Sequence, residues 1–544
     1  MKKLLATSAL TVLVGITLAA CGNNTANNDA KTQTLNLAAT SQLDTVDISK
    51  AGGYGSTGNA FSSFYKLGKN GKPGLDLADK ATTSKDGKTW TFHLRDAKWS
   101  NGKTITAQDF VYSWRRTVDP STKAQYSYLF NSVVNGEAIN LGKMNPDKLG
   151  IEAVNSRTVR IHLTKPIAYF KTLMAYPLFG PQDEATVKKY GDKYGTNAKY
   201  MVYSGPFKIE GWNGTNDKWS YLKNKDYWDA KKVKLNRVNY TVVANPTTSL
   251  NLYNQGKIDV TALSTEQLKN YKDNKDMKDY SYAMTTFLRY NFNDPNATNR
   301  RIINNLNIRK AISLAIDRDQ LSQNLLGFKT KKITGFVPFG LANDPKTGKD
   351  FASQQGQDNA LQYNKKLAKQ YFEKGLKELG LKKISLTLLA QNEDANTPVA
   401  TQFLKSQLES ILPGFALNLS NLPGKIVSTN TQNGNFDIAL STWGGDFKDP
   451  ITFLQIPQKN TPYNFGKYDG TKYNQLINKA EDVDANNAEK RWQDLLAASN
   501  ELNNDQGISP LYQVHAYYLQ RSSIKDIIHN SAGPQWNYTR TYVK

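Results

Sequence analysis

Short runs in which apolar and polar residues alternate recur along the chain. Residues 35–38, 87–95 (GKTWTFHLR), 156–164 (SRTVRIHLT) and 238–243 keep a period of two and predict strands. Asn245-Pro246 then supplies an N-cap and a first-turn proline for a helix through Tyr253. Gly256 stops it before a strand at 258–260, completing one β-α-β unit. The second half is richer in helix. Asn364 caps a helix in which Leu367, Tyr371, Phe372, Leu376 and Leu379 share one face, and Gly380 ends it. A strand at 384–389 follows. Pro398 then opens a helix carrying Val399, Phe403, Leu408, Ile411 and Leu412, which Pro413-Gly414 closes. Strands at 415–419 and 436–442, a helix at 488–502 and a strand at 513–520 that returns to an earlier sheet complete the pattern. Such alternation predicts an α/β fold with a largely parallel sheet. No period of 20–50 residues repeats, which argues against solenoids and propellers.

The first thirty residues follow a different rule. Lys2 and Lys3 precede an uncharged apolar stretch at 4–18, and Leu18-Ala19-Ala20-Cys21 follows. The stretch is too short for a spanning helix and reads as a secretory signal, residues 1–20. Cys21 is the sole cysteine of the 544 residues. At this position it resembles the lipobox cysteine of bacterial lipoproteins, which accepts a diacylglycerol and becomes the new N-terminus; the alternative is an ordinary signal with a stray Cys. Two acyl chains would hold the protein on the outer face of the membrane. Residues 21–33 form the lipidated start and a polar tether, of which GNNTANNDAK reaches about 33–36 Å when extended. A single Cys also excludes intrachain disulfides and Cys-cluster metal sites.

Composition narrows the class. With 29 Tyr, 21 Phe and 9 Trp the chain holds more buryable surface than disorder allows. Lys and Arg number 70 against 47 Asp and Glu, a net charge of +23. No basic stripe interleaves with aromatics, so nucleic acid is not the expected partner; an anionic wall or bilayer surface is. Catalytic signatures are scarce. His93, His162, His515 and His529 are scattered, and H-E-x-x-H, G-x-S-x-G and the P-loop pattern are absent. Gly53-Tyr54-Gly55-Ser56-Thr57-Gly58 matches G-x-G-x-x-G, with Asp76 and Asp79 downstream, but residues 48–51 make a poor buried strand. The segment is expected to be a Gly-rich turn ahead of a helix at 59–67.

Residues 75–120 carry longer motifs. Leu75-Asp76-Leu77-Ala78 leads into SKDGKTWTFHLR at 84–95, KWSNG at 98–102 and TAQDFVYSW at 106–114. SGPFK at 204–208, NKDYW at 224–228, IRKAI at 308–312, AIDR at 315–318, and WGGDF at 443–447 with Pro450 continue in consistent order. This series is similar to that of the family 5 solute-binding proteins, specifically the oligopeptide-binding proteins of ABC importers. The resemblance implies a two-lobed, periplasmic-binding-protein-like (type II) fold with a subdomain inserted in the first lobe. Lobe I is expected at 34–60, 188–284 and 508–544, the insert at 61–187 and lobe II at 285–507. It further implies an extracytoplasmic lipoprotein receptor, monomeric, without cofactor, metal or catalysis, that closes over an oligopeptide and delivers it to an ABC permease. A dipeptide, a signalling peptide or an oligosaccharide remains an alternative solute. A wall-associated hydrolase or adhesin is the alternative class.

Asp446 is the leading site residue. It follows the C-terminal end of the expected strand at 436–442, the edge where α/β sheets place ligands, and Gly444 and Gly445 leave the backbone open. By resemblance it pairs with the peptide α-ammonium; the alternative is an Asp that caps a turn. Trp443 would pack on the peptide or belong to the core. Tyr112 resembles a ligand-facing aromatic, though its place on a helix suits a core equally. Ser49 to Gly52, including Ala51 and Gly52, falls where relatives pair main chain with the peptide, but its sequence departs from theirs. Relatives that clamp short peptides can carry an Arg where this chain has Leu440, which leaves a fixed carboxylate anchor in doubt and favours longer peptides.

Overall fold

The computed structural model describes residues 33–52, 57–327, 331–392 and 396–544. Cys21, the signal and nearly all of the tether, and Gly53 to Ser56 of the glycine motif therefore lie outside the described residues.

The chain enters on β1 (Thr34–Ala39) and soon leaves for a separate four-stranded antiparallel sheet. That sheet contains β2 (Ala78–Thr83), β3 (Thr89–Leu94), β4 (Ile151–Asn155) and β5 (Thr158–His162), in the order β2-β3-β5-β4. Helix α1 (Ala107–Val118) packs on it, held at its start by a reciprocal Thr106–Asp109 capping box. The chain then returns through β6 (Phe207–Glu210), β7 (Lys218–Lys223) and β8 (Arg237–Val242). Helix α2 (Pro246–Asn254) starts where Asn245 accepts the Thr248 N–H at 2.9 Å, and β9 (Val260–Leu263) follows. β8 and β9 lie parallel to β1 on either side of it, as a β-α-β crossover requires.

The long strand β10 (Met277–Tyr290) then crosses into a second half built of α3 (Lys365–Leu379), β11 (Ile384–Gln391), α4 (Asn396–Ile411), β12 (Phe415–Leu422), α5 (Gly424–Asn433), β13 (Ile438–Gly444) and α6 (Ala488–Asn504). Strand β14 (Ile508–Gln520) runs back antiparallel to β10. The result is one ten-stranded sheet, β12-β11-β13-β10-β14-β9-β1-β8-β7-β6.

Here the expectation of a largely parallel sheet is corrected. Parallel pairing is confined to β8-β1-β9 and β12-β11-β13, and the two crossing strands and the β6–β8 meander are antiparallel. Helical crossovers enforce parallel neighbours only where a helix joins the strands. Register slips between Ser281 and Thr285, where β10 pairs with β14, mark the passage between halves. Such an irregularity locally bends and twists a strand pair.

The expected helix at 59–67 is also absent. Thr57–Asn59 is a single tight turn and Tyr65–Leu67 is a strand paired with Pro73–Leu75. Its main-chain groups are taken by distant partners: Ser62 N–H donates to Ser204 Oγ and Tyr65 N–H to the Met174 carbonyl. With both faces of this segment buried, tertiary contacts override helical spacing.

Three large apolar clusters form the core. One lies around β1, β7 and β8 (Leu35, Trp219, Tyr221, Val238), and another around β10–β13 with α3 and α4 (Leu288, Phe372, Leu386, Leu404). The third joins the inserted sheet and α1 to second-half helices, setting Phe92, Phe110 and Trp114 in one body with Phe447, Ile451 and Trp492. The insert is therefore closed onto the second lobe.

Candidate functional site

Strand β13 ends at Gly444 beside β10, and the next residues turn away into the seam between inserted subdomain and second lobe. Gly445 N–H donates to the Ala283 carbonyl at 2.7 Å, inside the slipped stretch of β10. Its carbonyl accepts from Gly533 N–H at 3.2 Å. A Cβ at Gly445 would lie 3.2 Å from both Leu341 and Phe453, so this glycine serves close packing of the loop. Thr452 clamps the loop: its hydroxyl accepts from Asp446 N–H at 2.9 Å and its carbonyl from the Trp443 indole at 2.8 Å.

Asp446 is buried at 9% exposure. Tyr128 of the inserted subdomain donates its hydroxyl to Oδ2 at 3.3 Å, and Tyr176 donates to the Asp446 main-chain carbonyl. Tyr126 stacks beside Tyr128, and Tyr463 meets Tyr128 edge-on at 5.5 Å and Trp443 at 4.9 Å. Burial pushes the Asp446 carboxyl up to about 7, against the opposing hydrogen bond from Tyr128. The same burial, with the Asp446 charge nearby, raises Tyr126, Tyr128 and Tyr463. Among the described residues no cation forms an ion pair with Asp446. A carboxylate in this setting is short of one positive charge.

Turn capping falls to a different acid of the loop: Asp449 accepts the Ile451 N–H at 3.0 Å. Trp443 packs against Tyr463 at the edge of the core cluster. Gly444 pairs with Met284 in the sheet. Tyr112 lies elsewhere, packed on the first-lobe core with Arg116, Glu184 and Asp47 as its charged neighbours. The N–H groups of Ala51 and Gly52 are taken by the Asp47 carbonyl and Asp44 Oδ2, whereas the Gly52 carbonyl faces the Tyr126 hydroxyl at 3.5 Å. Leu440 packs on the second-lobe core. Sequence reasoning missed Tyr126, Tyr128, Tyr176 and Tyr463. They come from three separate stretches of chain, with Tyr126 and Tyr128 in one, and no local pattern distinguishes them from the other tyrosines.

Two cavities bear on ligand capture. One of about 420 Å³ opens at the C-terminal ends of β1, β8 and β9, lined by Thr40, Ser41, Ala244, Leu263, Ser264 and Trp536. The other, about 350 Å³, lies between inserted subdomain and second lobe and has Tyr128, Tyr463 and Phe447 in its wall. Both volumes fall in the range of small-ligand sites. Among the described residues no group of three or more His, Cys, Asp or Glu side chains could hold a metal ion, and no helix is long and apolar enough to cross a membrane.

Comparison with known proteins bears on this geometry. The sequence profile of the bacterial extracellular solute-binding proteins, family 5 Middle, matches residues 72–465. A dipeptide-binding protein of Lactococcus lactis is 37% identical over 489 residues, covering 88% of each chain. The oligopeptide-binding protein OppA of Bacillus subtilis is 30% identical over 559 residues, covering 98% of each. The structure of Listeria monocytogenes OppA bound to peptide superposes with a TM-score of 0.82 at 37% identity, over 94% of this chain and 99% of the other. With that coverage, and with the two-lobed type II architecture and inserted subdomain in place, the chain belongs to the family 5 bacterial extracellular solute-binding proteins.

Proposed function

We propose that this chain captures peptides between its two lobes for delivery to an ABC permease, with Asp446 holding the peptide α-ammonium. Asp446 itself carries the reading: a buried carboxylate at the lobe seam that has phenol neighbours and, among the described residues, no cation. An arriving ammonium supplies the missing charge and a charge-assisted hydrogen bond, a gain of about 1.5–3 kcal/mol. The aromatic faces of Tyr126, Tyr128 and Tyr463 favour a cation as well. With the Ala51 and Gly52 N–H groups engaged, and the Gly52 carbonyl facing Tyr126, that segment meets a peptide main chain through carbonyl oxygens and not through those N–H groups. Main-chain pairing gives affinity without reading side chains. Leu440 offers no charge to a peptide carboxylate, which suits longer peptides. The peptide biases closure by its contacts to both lobes, and no bond is made or broken.

The receptor works as a monomer on the outer face of the membrane, tethered through lipid at Cys21, in a field of anionic wall or headgroups that its +23 charge favours. Native mass spectrometry of the purified protein is expected to show co-purified peptide masses; adducts of sugar alone, or cleavage of added peptides, would overturn the reading.

A further inference from the structure

Strand register places the entry of the tether and helix α3 at opposite poles. β9 begins beside Gln520, at the Met277 end of the crossing strands, and β13 begins beside Tyr290, at the other end. β1 runs parallel to β9 and starts three residues further out, and β11 runs parallel to β13 and starts four residues further out. Thr34 and Ile384 are therefore separated by at least the length of β10, about 40 Å for its 14 residues. At the first pole Gln33 pins the chain, donating to the Val543 carbonyl at 2.8 Å. α3 runs along the flank of the second lobe to the other pole, a length of about 22 Å for its 15 residues. Its inner face is fixed by buried Ala368 and Phe372 and by Gly375, where a Cβ would lie 2.5 Å from Ile308 of the helix Leu306–Leu314.

The outer face of α3 carries Lys365, Lys366, Lys369, Lys374 and Lys377, all exposed. Lys382 and Lys383 follow, exposed as well, in the turn into β11. None of these lysines joins an ion pair among the described residues. The opposing acids over 365–383 are Glu373 and Glu378, and Asn305 and Asn307 hold Glu378 at 2.9 and 2.8 Å. Lys365 and Lys366 stand in the first turn, at the positive end of the helix dipole, and Lys369 lies four positions after Lys365. Both placements work against the helix, and anions along the face relieve them together.

Resting on the reading of a receptor tethered at Cys21 outside the cell, we propose that this lysine face docks a linear phosphodiester polymer of the wall. Ammonium groups on flexible stems act as point charges, which suits a row of phosphates that offers charge and no fixed shape. A bilayer fits less well, because the tether joins the opposite pole.

Titration of the full chain with poly(glycerol phosphate) in solution tests the face whether or not the tether holds. The polymer is expected to bind, and to weaken at least about 10-fold between about 50 and 200 mM salt. Lys366→Gln, Lys369→Gln, Lys374→Gln and Lys377→Gln together should weaken it about 10- to 100-fold. A matched control removes four exposed lysines elsewhere, Lys80→Gln, Lys85→Gln, Lys143→Gln and Lys208→Gln, and should lose less than about threefold. Thermal melting reports that both variants are folded, and peptide titration of the same samples reads ligand capture separately. Absence of polymer binding at low salt, or equal losses in the two folded variants, would overturn the face while leaving peptide capture intact. The full chain held on phosphatidylglycerol vesicles should still bind the polymer, because screening confines the repulsion of the bilayer to about 10 Å. Loss of polymer binding there would place the face on the bilayer and overturn the wall partner.

Discussion

Asp446 and Asp449 sit three residues apart on one loop and are equally buried, yet they live in opposite electrostatic surroundings. Asp449 meets Arg491 in a bidentate pair at 2.8 and 2.9 Å, and the same guanidinium holds Glu481 at 2.6 Å. Burial alone would depress Arg491, but the two carboxylates outweigh it and hold it above its ordinary value. The socket also takes Tyr169 of the inserted subdomain, which stacks on Phe447 at 4.2 Å and 5° and lies 5.8 Å from the guanidinium. Among the described residues Asp446 has one phenol on its carboxylate and no cation. Asp449 is complete within the fold and belongs to its architecture; Asp446 is complete only when something positive arrives. In a protein that closes on a ligand, a deficit of this kind penalises closing empty.

Removing Arg491 should produce the largest effect. Arg491→Met leaves Asp449 and Glu481 buried without a counter-ion and is expected to destabilise the protein by about 3–5 kcal/mol in chemical denaturation. A loss below about 1 kcal/mol would erase the contrast. Asp446→Asn should act in the opposite direction on the empty protein, raising its melting temperature because an unpaired buried charge is gone. The same change should weaken free-amine peptides about 10- to 100-fold by calorimetry while sparing their N-acetylated counterparts. Equal losses for both would break the ammonium assignment.

Acidity should sharpen the comparison further. Burial raises the Asp446 carboxyl to about 7, and water reaching it as the lobes part would lower it toward the ordinary carboxylate range. Closing empty therefore takes up a proton between those values, so acid favours it; the penalty grows as pH rises from about 4 to 7 and is constant above. Small-angle scattering should show the empty protein more compact at pH 5 than at pH 8, with no such trend in Asp446→Asn or with bound peptide. A trend of the opposite sign would exclude Asp446 as its source. The smallest effect is expected for Tyr128→Phe. Loss of its hydrogen bond removes an influence that lowers the Asp446 carboxyl, and should weaken peptide binding about two- to tenfold.

Much of the local structure was legible because its signals act over a few residues. Asn364 accepts the Leu367 N–H at 3.0 Å at the start of α3, and Gly380 takes the left-handed conformation at its end, as a cap pair predicts. The segment at 59–67 misled because its spacing is helical but its hydrogen bonds go to Ser204 and Met174, far along the chain. Helix α5 (Gly424–Asn433) left no clear apolar stripe: Thr431 is its buried residue and Ile426 is exposed. Asp446 was singled out as a candidate because position relative to a strand end is a local property, with a family motif beside it. Its tyrosine surroundings were not found, because Tyr126, Tyr128, Tyr176 and Tyr463 converge only after the insert folds onto the second lobe.

Alternation, caps and breakers are properties of neighbouring residues, and by themselves they determined the α/β character, most strand and helix positions, and the loop that bears the acid. Whether that acid would be paired, capped or left wanting depended on side chains hundreds of positions away and on how much water the closed lobes exclude. Burial and electrostatic environment are set by the sum of all contacts around a group, and only the tertiary structure contains that sum.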